Sequence, residues 1–143
     1  MSSVLFDSTH ALLIERLGRD QIRVDVGPPA TLTIAAAHPA VGDIVVQDDE
    51  SELMIALGEH HHWHCALYQH DTLPDGERVR ATAEDAHDSI QAILSGKTVL
   101  RLTRRDGRIR STTTYRSDLT EMEPLGPEDE EFTWFGPLRT GTP

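Results

Sequence analysis

The stretch IVVQDDESELMIALGEHHHWHCALY, residues 44–68, decides the fold. Ile44-Val45-Val46 and Leu53-Met54-Ile55-Ala56-Leu57 are short β-branched and apolar runs, and the acidic Asp48-Asp49-Glu50-Ser51 between them reads as a turn. After Gly58 the segment His60-His61-His62-Trp63-His64 leads into Cys65-Ala66-Leu67-Tyr68. Connections this short leave no room for helical crossovers, so these runs pair as antiparallel neighbours.

Upstream, Ile22, Val24 and Val26 alternate with polar residues, Gly27-Pro28-Pro29 interrupts, and Leu32 and Ile34 resume the alternation. Asp7-Ser8-Thr9 offers capping oxygens ahead of Leu12, Leu13 and Leu17, which predicts a first helix over residues 8–18 closed by Gly18. Downstream, Pro74-Asp75-Gly76 marks a loop. Thr82 with Asp85 approximates a capping box that opens a second helix, whose apolar stripe is Ala83, Ala86, Ile90, Ile93 and Leu94. Thr98 to Thr103 and Arg108 to Tyr115 read as strands joined across Arg105-Asp106-Gly107, a strong hairpin signal. The expected architecture is α+β: an antiparallel β-sheet of about six or seven strands with two helices packed on one face. Residues 1–120 form that single domain. Residues 121–143, with Pro124, Pro127, Pro137 and Pro143, are expected as an acidic tail partly docked by Phe132, Trp134 and Phe135.

Composition narrows the function classes. With 38% hydrophobic and 26% charged residues in 143, the chain is an ordinary globular domain, not a disordered one. The lone Cys65 excludes an intrachain disulfide, and no long apolar run opens the chain or spans a membrane. A cytoplasmic protein is expected. The net charge of −11 argues against nucleic acid and anionic membranes, and suits a basic protein partner. A homodimer is compatible with the same pattern.

The charge is segregated. Lys97, Arg101, Arg104, Arg105, Arg108, Arg110 and Arg116 face one acid, Asp106, over residues 97–116. Residues 117–131 then hold Asp118, Glu121, Glu123, Glu128, Asp129, Glu130 and Glu131 without a base. Either the two blocks occupy different faces or one folds back on the other. If Leu100, Leu102, Ile109 and Tyr115 face the core, then Arg101, Arg105, Arg108, Arg110 and Arg116 share an outer stripe able to hold an anion.

In an extended strand His60, His62 and His64 point one way, and His61 and Trp63 the other. Two imidazoles on one face can share a metal ion such as zinc, but a zinc site wants a third donor. Glu59, His70, His87 and His38 are candidates, and their spacing selects none of them. The competing reading is structural, with the histidines packing Trp63 and hydrogen-bonding across the sheet. Cys65 reads as a half-buried structural cysteine, and Glu84, Asp85 and Asp88 as the solvated first turn of a helix.

Residues 42–110 carry an order of features: an Asp-rich strand turn, a Gly followed by a His-x-His strand, an acidic helix, and GKTVLRLTRRDGR at 96–108. In this order the chain resembles a group of small bacterial proteins. The resemblance places His62 and His64 at the His-x-His positions and implies no activity. Cupins share His-x-His on a strand, but they need a glutamate where this chain has Tyr68, Gln69 and His70. His60-His61-His62-Trp63-His64-Cys65-Ala66 is similar to the motif of histidine-triad nucleotide hydrolases, departing from it at His61. That resemblance implies His62 as the nucleophile, with His60 and His64 flanking it.

The first expectation is therefore a small acidic protein-binding domain of the regulatory, inhibitor or immunity sort, with no cofactor and with Phe132, Trp134 and Phe135 as partner contacts. The alternative is a metal-dependent or histidine-triad-like hydrolase using His60, His62 and His64, with zinc or another divalent metal at His62 and His64.

Overall fold

The structure is a computed structural model that describes residues 2–141. Its α+β class follows the expectation, with two helices and antiparallel strands. Among the described residues the strands number nine, in two sheets. Strands β1 (Arg23–Asp25), β2 (Thr31–Ile34), β3 (Ile44–Asp48), β4 (Glu52–Leu57) and β5 (His61–Ala66) form a meander in sequence order. Strands β6 (Thr98–Arg105), β7 (Arg108–Arg116), β8 (Asp129–Thr133) and β9 (Gly136–Thr140) form a second sheet in the order β7-β6-β8-β9.

The pleat of the first sheet sorts its side chains cleanly. Leu32, Ile34, Ile44, Val46, Leu53, Ile55, Leu57 and Cys65 point inward and are buried. They share one core with Leu5, Phe6 and Leu13 of α1 (Val4–Leu17) and with Ala86, Ile90 and Ile93 of α2 (Asp75–Leu94). The second sheet adds Leu100, Leu102, Phe132 and Trp134 to that core. Both helices thus cover the inner face, while Thr31, Thr33, Val45, Gln47, Met54 and Ala56 on the outer face stay half-exposed.

Both helices start earlier than their sequence signals suggest. Ser3, not Asp7 to Thr9, caps α1: its Oγ accepts from the Phe6 N–H at 3.1 Å. Asp48 at the end of β3 fixes that cap, accepting from the Ser3 N–H and Oγ at 2.7 Å each. The capping residue was thus chosen by a strand 45 positions away. Helix α2 begins at Asp75 behind Pro74, and its first-turn Asp75 and Glu77 complement the helix dipole. Thr82 lies mid-helix, its hydroxyl donating to the Arg78 carbonyl at 2.8 Å.

The Asp106-Gly107 turn forms as its residues demand, with φ of 54° and 75° matching a two-residue type I′ hairpin. Residues 129–140 of the expected tail are β8 and β9, and β8 is an interior strand between β6 and β9. Apolar alternation could not reveal β8, because Asp129-Glu130-Glu131 is acidic on both faces. Pro143 lies outside the described residues.

Gly42 and Gly58 meet where β3 and β4 begin and end. A Cβ at Gly42 (φ +89°) would stand 2.6 Å from the Gly58 Cα, a backbone atom that has no means of yielding. Gly42→Ala is expected to cost about 1–3 kcal/mol, combining a left-handed backbone with the clash. A urea unfolding midpoint equal to that of the parent protein would contradict this.

Candidate functional site

The histidine segment divides between strand and turn. His60 belongs to the turn before β5, where its Nε2 lies 2.8 Å from the Ala40 carbonyl oxygen. Its own carbonyl accepts from the Thr112 hydroxyl, joining the histidine turn to β7. His61 turns inward and meets Trp63 edge-on, with ring centroids 4.8 Å apart. His62 and His64 stand exposed on the outer face, with centroids 5.3 Å apart and planes nearly perpendicular. Glu52 on the neighbouring strand reaches His64, its Oε1 3.4 Å from Nδ1. The structure thus brings His62 and His64 together and holds His60 elsewhere, which breaks up the three-histidine row needed for a triad-like hydrolase.

None of the four proposed third donors joins His62 and His64. His38 packs against Phe132 in the β2–β3 loop, and His70 contacts Asp85 at 2.5 Å. His87 sits on α2 in a separate group with Glu84 and Asp88. Glu59 lies in the turn beside His60.

The Glu84, His87 and Asp88 group is close-set enough for a cation, but Arg16 occupies it. The guanidinium grips Glu84 with two bonds of 2.8 and 2.9 Å. It also lies 3.1 Å from His87 Nδ1. Arginine can only donate, so that contact consumes the lone pair a metal would use. Those bonds hold the Glu84 carboxyl below its ordinary range. Cys65 is no nucleophile at neutral pH: burial, helped by the negative charge of Asp85, pushes its thiol up to about 11.

Of the five stripe arginines, Arg101 and Arg116 are engaged by acids. Arg101 stands directly across from Glu131, and Glu131 across from Arg139. Glu131 is fully buried (0% exposed) and accepts from Arg101 Nε and Nη2 at 3.1 and 3.0 Å and from Arg139 Nε at 2.7 Å. Burial opposes ionisation of Glu131, yet the bonds from Arg139 and Arg101 outweigh it and keep its pKa below the usual carboxyl range. Arg104 pairs with Glu130 at 3.1 Å, and Arg116 with Asp118 at 2.8 Å. The acidic block therefore folds back on the basic one.

A register shift at Thr103/Arg104 leaves Arg110 as the residue of β7 without a cross-strand partner. Arg105 opposes Arg108 at the hairpin end, and Arg110 is exposed nearby. Tyr115 lies on the face of Arg101, whose guanidinium sits 5.6 Å from the ring centroid, and Ile109 is exposed. A cleft of about 200 Å³ beside this pair is rimmed by Thr113, Thr120, Glu121 and Glu123. Its acidic rim disfavours an anion at Arg101.

Of the expected partner contacts, Phe132 and Trp134 are core residues, each 6% exposed. Phe135 alone is exposed, with its ring against Gly96. The surface that sequence reading missed is the outer face of the first sheet. Its rows are Arg23-Thr33-Val45-Ala56-His62 and Asp25-Thr31-Gln47-Met54-His64 across five strands. The signal was present in the outward positions of the alternating strands, but alternation alone does not say whether that face is covered.

Comparison of the chain with protein-family models, with curated proteins and with solved structures finds no match. Among the described residues, no helix is long and apolar enough to cross a membrane.

Two measurements check this account. Glu131→Leu removes the buried acceptor that the half-exposed Arg101 and Arg139 share and is expected to cost about 1–3 kcal/mol, read as a lowered denaturant midpoint. An unchanged midpoint would show that the network carries no stability. The second concerns His61, whose pKa is drawn below 6.5 by burial and then by the proximity of His62. The folded chain therefore binds this proton less readily than the unfolded chain. The stability tied to neutral His61 is complete above the unfolded pKa of about 6.5 and is lost as pH falls from there through the lowered folded value. His61→Phe should flatten the acid side of a stability–pH curve in that window; parallel curves for the two proteins would reject the assignment.

Proposed function

We propose that the chain is a protein-binding domain whose recognition surface is the outer face of the β1–β5 sheet. One observation carries the reading: the helices and second sheet bury only the inner face, and leave an uncharged field of Thr31, Thr33, Val45, Gln47, Met54 and Ala56 half-exposed. Exposed apolar area bordered by polar side chains is the usual mark of a docking surface. Here the border is Arg23 and Asp25 at one edge and His62, His64 and Glu52 at the other.

The face also runs at Val45 into a groove of about 610 Å³ between Pro39, Val41, Gly58 and His60. A projecting side chain of the partner fits there. The net charge of −11 lies mainly away from the face, so it acts at a distance by speeding encounter with a basic partner. This is the chemistry of a small regulatory, inhibitor or immunity-type protein.

Met54→Arg and Val45→Glu place charges in the centre of the face while leaving the core untouched. Arg80→Ala on α2 serves as the control. Co-purification from native lysate should yield one recurrent partner at constant stoichiometry, retained by the control and lost from both face variants. Retention by the face variants, or a wild-type protein that repeatedly emerges alone, would overturn the proposal.

A further inference from the structure

We infer that His62 and His64 form a surface binding site for a divalent transition-metal ion, with Glu52 as the residue that positions His64. The inference goes beyond the protein-binding reading and stands whether or not the face carries a partner. It begins from register. His62 and His64 are two residues apart on β5, an edge strand of the first sheet, and share its outer face, where both are exposed.

The ring spacing suits shared ligation. Two imidazoles on one tetrahedral ion, each nitrogen about 2.0–2.1 Å from the metal, place their ring centres about 5 Å apart. The observed centroid separation is 5.3 Å. The rings are now edge-to-face at 88°, and histidine χ2 is a broad torsion, so a turn of the rings aims one nitrogen of each at a common point without moving the strand. Among the described residues neither ring has a carbonyl or guanidinium as a hydrogen-bond partner, in contrast to His60 at Ala40 and His87 at Arg16.

Glu52 supplies what a bare His-x-His pair lacks. It lies diagonally across from His64 on the adjoining strand, with its carboxylate 3.4 Å from Nδ1. A carboxylate at this distance attracts the ring proton to Nδ1 and leaves the Nε2 lone pair free for a metal. Two imidazoles select borderline ions such as Zn²⁺, Ni²⁺ and Cu²⁺ over Mg²⁺ and Ca²⁺, which prefer oxygen. The remaining coordination positions face solvent and stay open to water or to a group from another molecule.

The test is isothermal titration of untagged full-length protein with ZnCl₂, NiCl₂ and MgCl₂, each variant first being checked for its circular dichroism spectrum. Zn²⁺ and Ni²⁺ should bind with no more than one ion per chain, and Mg²⁺ should not. His62→Ala and His64→Ala should each weaken binding by about tenfold or more, and Glu52→Gln by several-fold, while His60→Ala and His87→Ala leave it unchanged. In ¹⁵N spectra of the histidine rings, Glu52→Gln should also remove the Nδ1–H preference of His64, a change that a purely structural role would not produce. Failure to bind Zn²⁺ or Ni²⁺, equal binding of Mg²⁺, or loss of affinity in His87→Ala in place of His62→Ala would overturn the assignment. Because the readouts are ion binding and ring tautomer, they do not depend on any protein partner.

Discussion

A carboxylate removed entirely from water must be matched by charge and hydrogen bonds, and Glu131 is such a group. It stands in the middle of a cross-strand row from Arg101 on β6 to Arg139 on β9 and accepts from both guanidinium groups. The row can form only if the acidic segment lies between them as a strand. Once it does, Phe132 and Trp134 are carried into the core, and His38 finds Phe132 and Gly136 to pack against. The β8–β9 half of the second sheet, with Phe132 and Trp134, is therefore tied to β6 by one buried carboxylate.

A second, smaller constraint works the same way at the other end of the molecule. Asp48 closes β3 and holds Ser3, so the first helix is anchored at its N-terminus to the strand it covers. Burial alone would raise the Asp48 pKa, but the bonds from Ser3 and Glu50 more than compensate and lower it. In both places a charged residue at a strand position joins elements distant in sequence. With these ties in place the inner face of the first sheet is occupied, and its outer face stays half-exposed.

The histidine segment illustrates how far local reasoning reaches. Period-two alternation correctly separates His62 and His64 from His61 and Trp63, because the pleat is a local property of an extended chain. His60 escapes that logic, since β5 begins one residue after it and a carbonyl in another loop claims its ring. The arginine stripe is divided for a similar reason. One unanticipated acidic strand engages Arg101 through Glu131, while Arg105, Arg108 and Arg110 stay exposed at the hairpin end.

The sequence by itself determined the class of the fold, seven of the nine strands, the Asp106-Gly107 hairpin, and the faces on which the histidines of β5 lie. Each depends on interactions between residues close along the chain: turn chemistry, alternation, and connections too short for a crossover. Tertiary structure alone decided where the first helix starts, that residues 129–140 complete a sheet, and which arginines are engaged by acids. Those outcomes depend on contacts of carboxylates such as Glu131 and Asp48 with segments 30 to 45 residues away, and their energy is set by the water each group loses in the assembled fold.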